Sequence, residues 1–129
     1  MQLLRKVKVI TEITKEYKEK FKKDMDLAIE DLKKVVATVD KELKKLSKPK
    51  NQEEMIKYNS LLGYKQQQLA QIENLKERKK RVLSLKEGEE LLEVTLDSLV
   101  EVKVGDNLYE KLKEAYIKVK DGKIVELQD

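Results

Sequence analysis

The chain has 129 residues, of which 42% are charged and 40% hydrophobic, and its formal net charge is +4. It contains no cysteine and no histidine, which excludes disulfide bonds, thiolate metal sites, cysteine nucleophiles and any imidazole base or ligand. Because the apolar residues are regularly spaced, so high a charge content indicates long solvent-exposed helices rather than a thick core or a disordered chain.

The charge is unevenly distributed along the chain. Residues 1–86 hold 23 basic and 13 acidic residues, a net charge of +10, whereas residues 87–129 hold 6 and 12, a net charge of −6. Lysine outnumbers arginine 26 to 3. Because lysine is a flexible point charge that reads base edges poorly, this composition argues against sequence-specific nucleic-acid binding.

The chain begins with a predicted strand and continues into a long predicted helix. Residues 3–12 alternate between apolar and polar side chains, which is typical of a half-buried strand. Thr14 is a suitable N-cap for a helix over residues 14–47. The apolar stripe of this helix has an average step of 3.6 residues and consists of Tyr17, Phe21, Met25, Ala28, Leu32, Val35, Val39, Leu43 and Leu46. Leu27, Ile29 and Val36 lie off the stripe and widen the apolar face.

A second predicted helix covers residues 52–87. Residues 47–51, here called the tip, contain the only proline of the chain and separate the two helices. Asn51 followed by Glu54 resembles a capping box. The stripe of this helix includes three lysines, whose stems can cover the apolar groove while their ammonium groups stay in water. It consists of Met55, Tyr58, Leu62, Lys65, Leu69, Ile72, Lys76, Lys79 and Leu83.

The remaining residues predict a short helix and four more strands. Alternating patterns over 92–97 and 100–104 predict two strands with a turn at Asp97-Ser98. Asn107 is a suitable cap for a short helix. Asp121-Gly122 favours a type I′ turn between two strands, with Val119 facing Ile124 and Tyr116 facing Leu127.

Together these elements predict an α+β fold, in which a long antiparallel, coiled-coil-like helical hairpin is inserted between the strands of a small β-rich base domain. The base comprises residues 1–12 and 88–129, with about five strands and a short helix, and the hairpin comprises residues 13–87. So small a base is marginally stable alone. We therefore expect self-association through the hairpin, with a dimer that forms a four-helix bundle favoured. The candidate contact residues are Tyr17, Phe21, Leu27, Ile29, Leu32, Val36 and Val39.

Two lysine-rich regions are alternative candidate sites for a polyanion such as RNA or the ribosome, since clustered cations neutralise phosphates. Near the tip the residues are Lys41, Lys44, Lys45, Lys48 and Lys50. The basic cluster, residues 76–81, supplies Lys76, Arg78, Lys79, Lys80 and Arg81. The competing interpretation is an ordinary solvated helix end in one case and an exposed helix face in the other.

No motif predicts catalysis, a cofactor or a metal. Glu87, Glu89 and Glu90 form the tightest acidic group, which we interpret as a polar junction rather than a magnesium site. No stretch approaches the ~20 apolar residues of a membrane span. Residues 1–8 hold no apolar run long enough for a signal peptide. We expect a non-enzymatic cytoplasmic protein that interacts with itself or another protein, and not with a membrane.

The order of elements, with Val100–Asn107 as VEVKVGDN and Ala115–Leu127 as AYIKVKDGKIVEL, resembles the YlqD family of small bacterial proteins. The resemblance covers nearly the whole chain in organisation and is most specific around the VKVGD and VKDG turns. It implies a protein of a Gram-positive-type bacterium with no enzymatic activity and no catalytic residue to carry over.

Overall fold

The computed structural model describes residues 1–129 and contains four strands and three helices. In chain order they are β1 (Gln2–Glu12), α1 (Lys15–Lys45), α2 (Gln52–Leu83), β2 (Glu90–Glu101), α3 (Leu108–Lys111), β3 (Ala115–Lys120) and β4 (Lys123–Gln128). The chain divides into two compact units. Residues 1–18 with 85–129 form the sheet unit, and residues 19–84 form the helical arm. The mixed α+β class with two long helices and a small sheet is confirmed.

The four strands of the sheet unit form one sheet in the order β2-β1-β3-β4. β1 is antiparallel to β2 and parallel to β3, and β3 is antiparallel to β4. Ile13, at the end of β1, is 1% exposed. Its amide donates to Glu89 O and its carbonyl accepts from Gly88 N, both at 2.8 Å. Residues that precede and follow the helical arm in the sequence therefore meet at the most buried position of this unit.

The sheet has one apolar and one charged face. On the apolar face Val7 lies beside Leu96 and Ala115, and Ile117 lies beside Leu127. On the opposite face Lys6 pairs with Asp97, Lys118 with Glu90 and Lys120 with Glu12. Successive side chains of a strand point to opposite faces of the sheet, so the alternating sequence places apolar residues on one face and charged residues on the other.

The prediction of about five strands is wrong, because β2 continues through Asp97-Ser98 instead of turning there. Asp97 pairs across the sheet with Lys6, and Ser98 with Arg5. β1 pairs with β2 without a break from Gln2 to Val9, so pairing with a distant strand overrides the local turn propensity of this dipeptide.

The predicted turn at Asp121-Gly122 is confirmed, since φ is +50° at Asp121 and +80° at Gly122, as a type I′ turn requires. Val119 pairs with Ile124 as expected. The expected pairing of Tyr116 with Leu127 is wrong. The register shifts between Lys118 and Val119, so that Tyr116 faces Gln128 and Ile117 faces Leu127. A bulge adds one residue to one strand and moves every later pair by one position.

The predicted N-caps of the helices are confirmed. Thr14 Oγ1 accepts from Tyr17 N at 3.0 Å. Asn51 Oδ1 accepts from Glu54 N at 2.8 Å, and Asn107 Oδ1 accepts from Tyr109 N at 3.0 Å. The second helix ends at Leu83, four residues earlier than expected, because Ser84 caps it and Gly88 then takes a positive φ of 89°.

We expect Thr14→Ala to lower the free energy of unfolding by about 1 kcal/mol, because it removes the acceptor of the first helical turn. The same hydroxyl donates to Asp121 Oδ1, so the loss also affects the β3–β4 turn. Urea unfolding followed by circular dichroism measures the change. Thr14→Ser keeps both hydrogen bonds and is the control; an equal loss in that variant would contradict the capping role.

Helices α1 and α2 run antiparallel within the arm. Asp26 pairs with Lys79, and Asp40 with Lys65 at 2.7 Å. Residue numbers therefore increase along α1 in the direction in which they decrease along α2. The lysine at 65 is only 28% exposed and that at 79 only 26%. The stems of these two stripe lysines are therefore largely covered while their ammonium groups meet carboxylates, as long amphipathic side chains allow.

The least exposed positions of α1 correct the predicted stripe. Ile29 is 7% exposed and Val36 is half-buried, although both were placed off the stripe. The set that repeats with alternating steps of four and three is Met25, Ile29, Leu32, Val36, Val39, Leu43 and Leu46. The average step of this set is 3.5 residues, which keeps one face of a supercoiled helix against its partner over a long contact. The predicted step of 3.6 residues is that of a straight helix.

Candidate interaction surfaces of the helical arm

A face of α2 carries no charged residue over five turns. It comprises Gln52, Met55, Ile56, Asn59, Leu62, Gly63, Gln66, Leu69 and Ala70, hereafter the charge-free face. Spacings of three, four and seven residues place these side chains on less than half of the helix circumference. In the whole chain 42% of residues are charged. Within residues 52–70 the charged side chains, Glu53, Glu54, Lys57 and Lys65, all lie on the remaining surface.

The charge-free face is exposed in the single chain. Met55 is 51%, Ile56 60% and Leu69 37% exposed, whereas Ile72, on the side toward α1, is 4% exposed. A Cβ added to Gly63 would meet no atom within 4 Å. Glycine costs ~1 kcal/mol relative to alanine inside a helix, and nothing in the single chain requires it here. The face thus has the composition of an interface and no partner within its own chain.

Sequence reasoning placed several residues of this face on the wrong side of α2. The predicted stripe of α2 includes Met55 and Leu69, which the structure leaves exposed, and it omits Ile56. The sequence does contain a pattern that identifies this face: positions seven residues apart along α2, such as 55, 62 and 69, are all uncharged. Asn59 and Gln66 concealed it, because they count as polar in a search for apolar periodicity.

Of the seven residues proposed for self-association, some side chains are buried within the single chain and others are exposed to solvent. Ile29 and Val39 are 7% and 6% exposed within one chain, and Leu27 is 52% exposed. Leu32 and Val36 are half-buried. Tyr17 donates its hydroxyl hydrogen to Glu93 Oε1 at 2.8 Å, and Phe21 lies under the guanidinium of Arg78, 5.7 Å from the ring centroid.

The lysines near the tip are exposed and mostly unpaired. Lys45 lies 3.5 Å from Glu42. The other four, Lys41, Lys44, Lys48 and Lys50, make no ion pair within 4.0 Å and are exposed. Lys44 and Lys45 occupy the last turn of α1, where the helix dipole favours cations. The tip therefore presents a positive surface whose side chains are free to meet an acidic partner.

The basic cluster is more strongly neutralised than the tip. Lys76 lies 3.6 Å from Glu73, and Lys79 pairs with Asp26. Arg78 stacks on Phe21, while Lys80 and Arg81 make no ion pair. A shallow concavity along this side of α2 is lined by Glu73 and Glu77 as well as by Lys80 and Arg81. Mixed charge lowers the attraction of this surface for polyanions.

The acidic group at 87–90 is engaged in structural contacts. Glu89 Oε2 accepts from Lys86 N at 2.6 Å, and Glu90 pairs with Lys118 at 2.7 Å. No cluster of three or more acidic side chains suited to a metal ion is present. Glu89 and Glu90 therefore take part in contacts within the sheet unit.

Two groups on the charged face of the sheet have raised pKa values. The Tyr116 hydroxyl donates to Glu126 Oε1 at 2.8 Å, and this bond raises the pKa of Tyr116 above 10.0. The bond from Lys118 to Glu90 raises the pKa of that ammonium group above 10.5. Both contacts therefore stabilise the sheet fully below the unfolded-state values, and the stabilisation is lost as pH rises through the raised pKa values.

We expect Glu126→Ala to lower the pKa of Tyr116 toward 10.0, because the carboxylate that favours the protonated phenol is gone. Titration of phenolate absorbance, with Tyr116→Phe subtracted to isolate this residue, measures the shift. Tyr109 is 86% exposed and serves as an internal reference. An unchanged Tyr116 titration in the variant would contradict this assignment.

The fold and these surfaces define a small mixed α+β protein with a long pair of helices and a four-stranded sheet. No helix is long and apolar enough to cross a membrane. The family model described as YlqD protein matches residues 1–128. The chain belongs to the YlqD family, as the resemblance predicts.

Among solved structures, a protein of unknown function from Synechococcus sp. WH 8102 is similar to the chain, with a TM-score of 0.79 and 22% sequence identity. The match covers 100% of this chain and 95% of that one. At this identity the likeness establishes the fold alone. No functionally curated protein matches the chain.

Proposed function

We propose that this protein is a non-enzymatic interaction or scaffold protein that forms a homodimer through its helical arm. The observation that carries the proposal is the charge-free face of α2, which is exposed in one chain. The chain also has no cysteine nucleophile and no histidine, the side chain most often used as a general base.

The energetic argument for association rests on the large side chains of this face. Met55, Ile56 and Leu69 leave between a third and two thirds of their surface in water. Completing the burial of one such side chain contributes about 1 kcal/mol at ~25 cal/mol per Å² of apolar surface. Because the face carries no charge, association removes no ionised group from water.

The test compares the mass in solution of the wild-type protein with that of two doubly charged variants. Wild type is expected to show twice the monomer mass of 15.1 kDa by light scattering at micromolar concentration, with little dependence on salt. Met55→Glu with Leu69→Glu should give a monomer. Ala37→Glu with Thr38→Glu adds the same charge to exposed positions of α1, outside the charge-free face, and should remain dimeric.

Two results would refute the proposal. One is a monomeric wild-type protein over the whole concentration range. The other is equal dissociation of both charged variants, which would assign the effect to net charge and not to the charge-free face.

A second candidate function, binding of RNA or the ribosome, is favoured by the four exposed tip lysines without ion pairs. Replacement of these four, Lys41, Lys44, Lys48 and Lys50, by Glu should abolish a salt-sensitive affinity for RNA, because each lost phosphate contact reduces counterion release. The matched control replaces Lys20, Lys22, Lys23 and Lys33, which are exposed on α1. Equal loss in both variants, or no binding at low salt, would reject the tip as a polyanion site.

A further inference from the structure

We infer that the charge-free face binds the same face of a second copy, with the two α2 helices antiparallel about a two-fold axis between Leu62 and Gly63. This inference rests on the proposed dimer and specifies which surface and which orientation form it. Isologous contacts of this kind place residue i against residue j and j against i. The occupant of the face is therefore a second molecule of this chain.

The first argument is that Asn59 and Gln66 lie at equal distances on either side of the axis. An antiparallel partner with its axis between positions 62 and 63 opposes Asn59 to Gln66 of the second copy, and Gln66 to Asn59. Each side-chain amide has donors and an acceptor, so the two pairs satisfy one another across the contact. A purely apolar partner would leave the amides of Asn59 and Gln66 without hydrogen bonds on burial.

The second argument is the complementarity of side-chain size. The same register opposes Leu62 to Gly63 and Met55 to Ala70. At Gly63 the space that a Cβ would occupy is empty, which leaves room for the leucine of the opposing helix. Ile56 meets Leu69 in this register, but the other apolar pairs join a large side chain to a small one. Because interaxial distances depend on the side chains at the contact, this arrangement keeps the distance more even than pairs of equal residues would.

A parallel arrangement lacks this evenness. It would oppose Leu62 to Leu62 and Ile56 to Ile56, while Gly63 would meet Gly63 and Ala70 would meet Ala70. Large pairs would separate the helices beside small pairs that leave gaps, and interiors with such voids are poorly packed. The order of large and small residues along the face therefore favours the antiparallel over the parallel pair of α2 helices.

The absence of native cysteine allows a direct test by disulfide cross-linking. We expect a mixture of Asn59→Cys and Gln66→Cys proteins, one carrying a mass-resolving tag, to form the mixed disulfide under mild oxidation. Neither variant alone should form a covalent dimer. Equivalent positions would lie about 10 Å apart along the axis, beyond the usual Cα separation of a disulfide.

The outcomes separate this arrangement from the proposed function. Covalent dimers of each variant alone would establish a parallel pair and overturn the inference. A dimer in light scattering without any cross-link between these positions would also overturn it, while leaving self-association through the arm intact. A protein that is monomeric before any cysteine is introduced would overturn both.

Gly63→Leu supplies a second measurement that does not depend on cysteine chemistry. A Cβ at this exposed position meets no atom within 4 Å and leucine improves helix propensity, so a single folded chain should tolerate the substitution. We expect it to abolish the dimer, because it fills the space assigned to Leu62 of the opposing helix. Gln71→Leu, at an exposed position of α2 that has no member of the charge-free face three or four residues away, should keep the dimer. A dimeric Gly63→Leu protein would overturn the inference.

Discussion

Replacement of Ile13 by alanine is expected to lower the free energy of unfolding of the sheet unit by about 2–5 kcal/mol. Ile13 is 1% exposed, and its backbone is fixed by hydrogen bonds to Gly88 and Glu89, so the surrounding chain has little freedom to close the cavity. A loss of this size is comparable to the whole stability of a small unit. Urea unfolding monitored by circular dichroism measures it.

Ile124→Ala is the matched control for this prediction. It removes the same atoms from a side chain that is 60% exposed on the edge strand β4. We expect a loss of less than ~1 kcal/mol, because little buried surface disappears. Similar losses in the two variants would contradict the assignment of Ile13 to the core.

Replacement of Ile72 by aspartate should disrupt the pairing of α1 with α2. The side chain is 4% exposed, and a carboxylate at this position would be removed from water without a partner. Loss of apolar burial together with desolvation of the charge is expected to cost about 3 kcal/mol or more. Since isolated helices are marginal in water, we expect a large decrease in the helical signal of far-ultraviolet circular dichroism.

The control for the second prediction is Gln71→Asp, one position earlier on the same helix. Gln71 is exposed, so the substitution introduces the same charge without burying it. Its effect should stay within about 0.5 kcal/mol. An unchanged helical signal in the Ile72→Asp protein would show that α2 does not depend on contact with α1.

Features set by neighbouring residues were predictable from the sequence. The caps at Thr14, Asn51 and Asn107 each bond an amide two or three residues ahead, and the Asp121-Gly122 turn depends on two φ angles. These are short-range constraints that hold in almost any tertiary context.

Features decided by how two strands pair were not predictable. The continuity of β2 through Asp97 follows from its pairing with Lys6, and the bulge after Lys118 follows from how β4 meets β3. Neither leaves a pattern in the local sequence, because the partner strand decides both.

The candidate surfaces differ in the same way. The tip lysines were found by composition, since lysines beside a proline-containing turn are exposed in most folds. Ile29 and Val36 fall outside the predicted stripe of α1. Apolar stripes with average steps of 3.6 and 3.5 residues separate only slowly along one helix, so the sequence alone does not distinguish them. The charge-free face became evident once the positions that α1 covers were known.

The parallel pairing of β1 with β3 has a consequence for the order in which the chain folds. Val7 lies beside Ala115, so the central strand cannot complete its hydrogen bonds until nearly all of the protein has been synthesised. Helices α1 and α2 are contiguous in sequence and close only a short loop. During synthesis we therefore expect the arm to form first, while β1 waits with an unpaired edge, which makes the nascent chain most vulnerable to aggregation shortly before its last strands emerge.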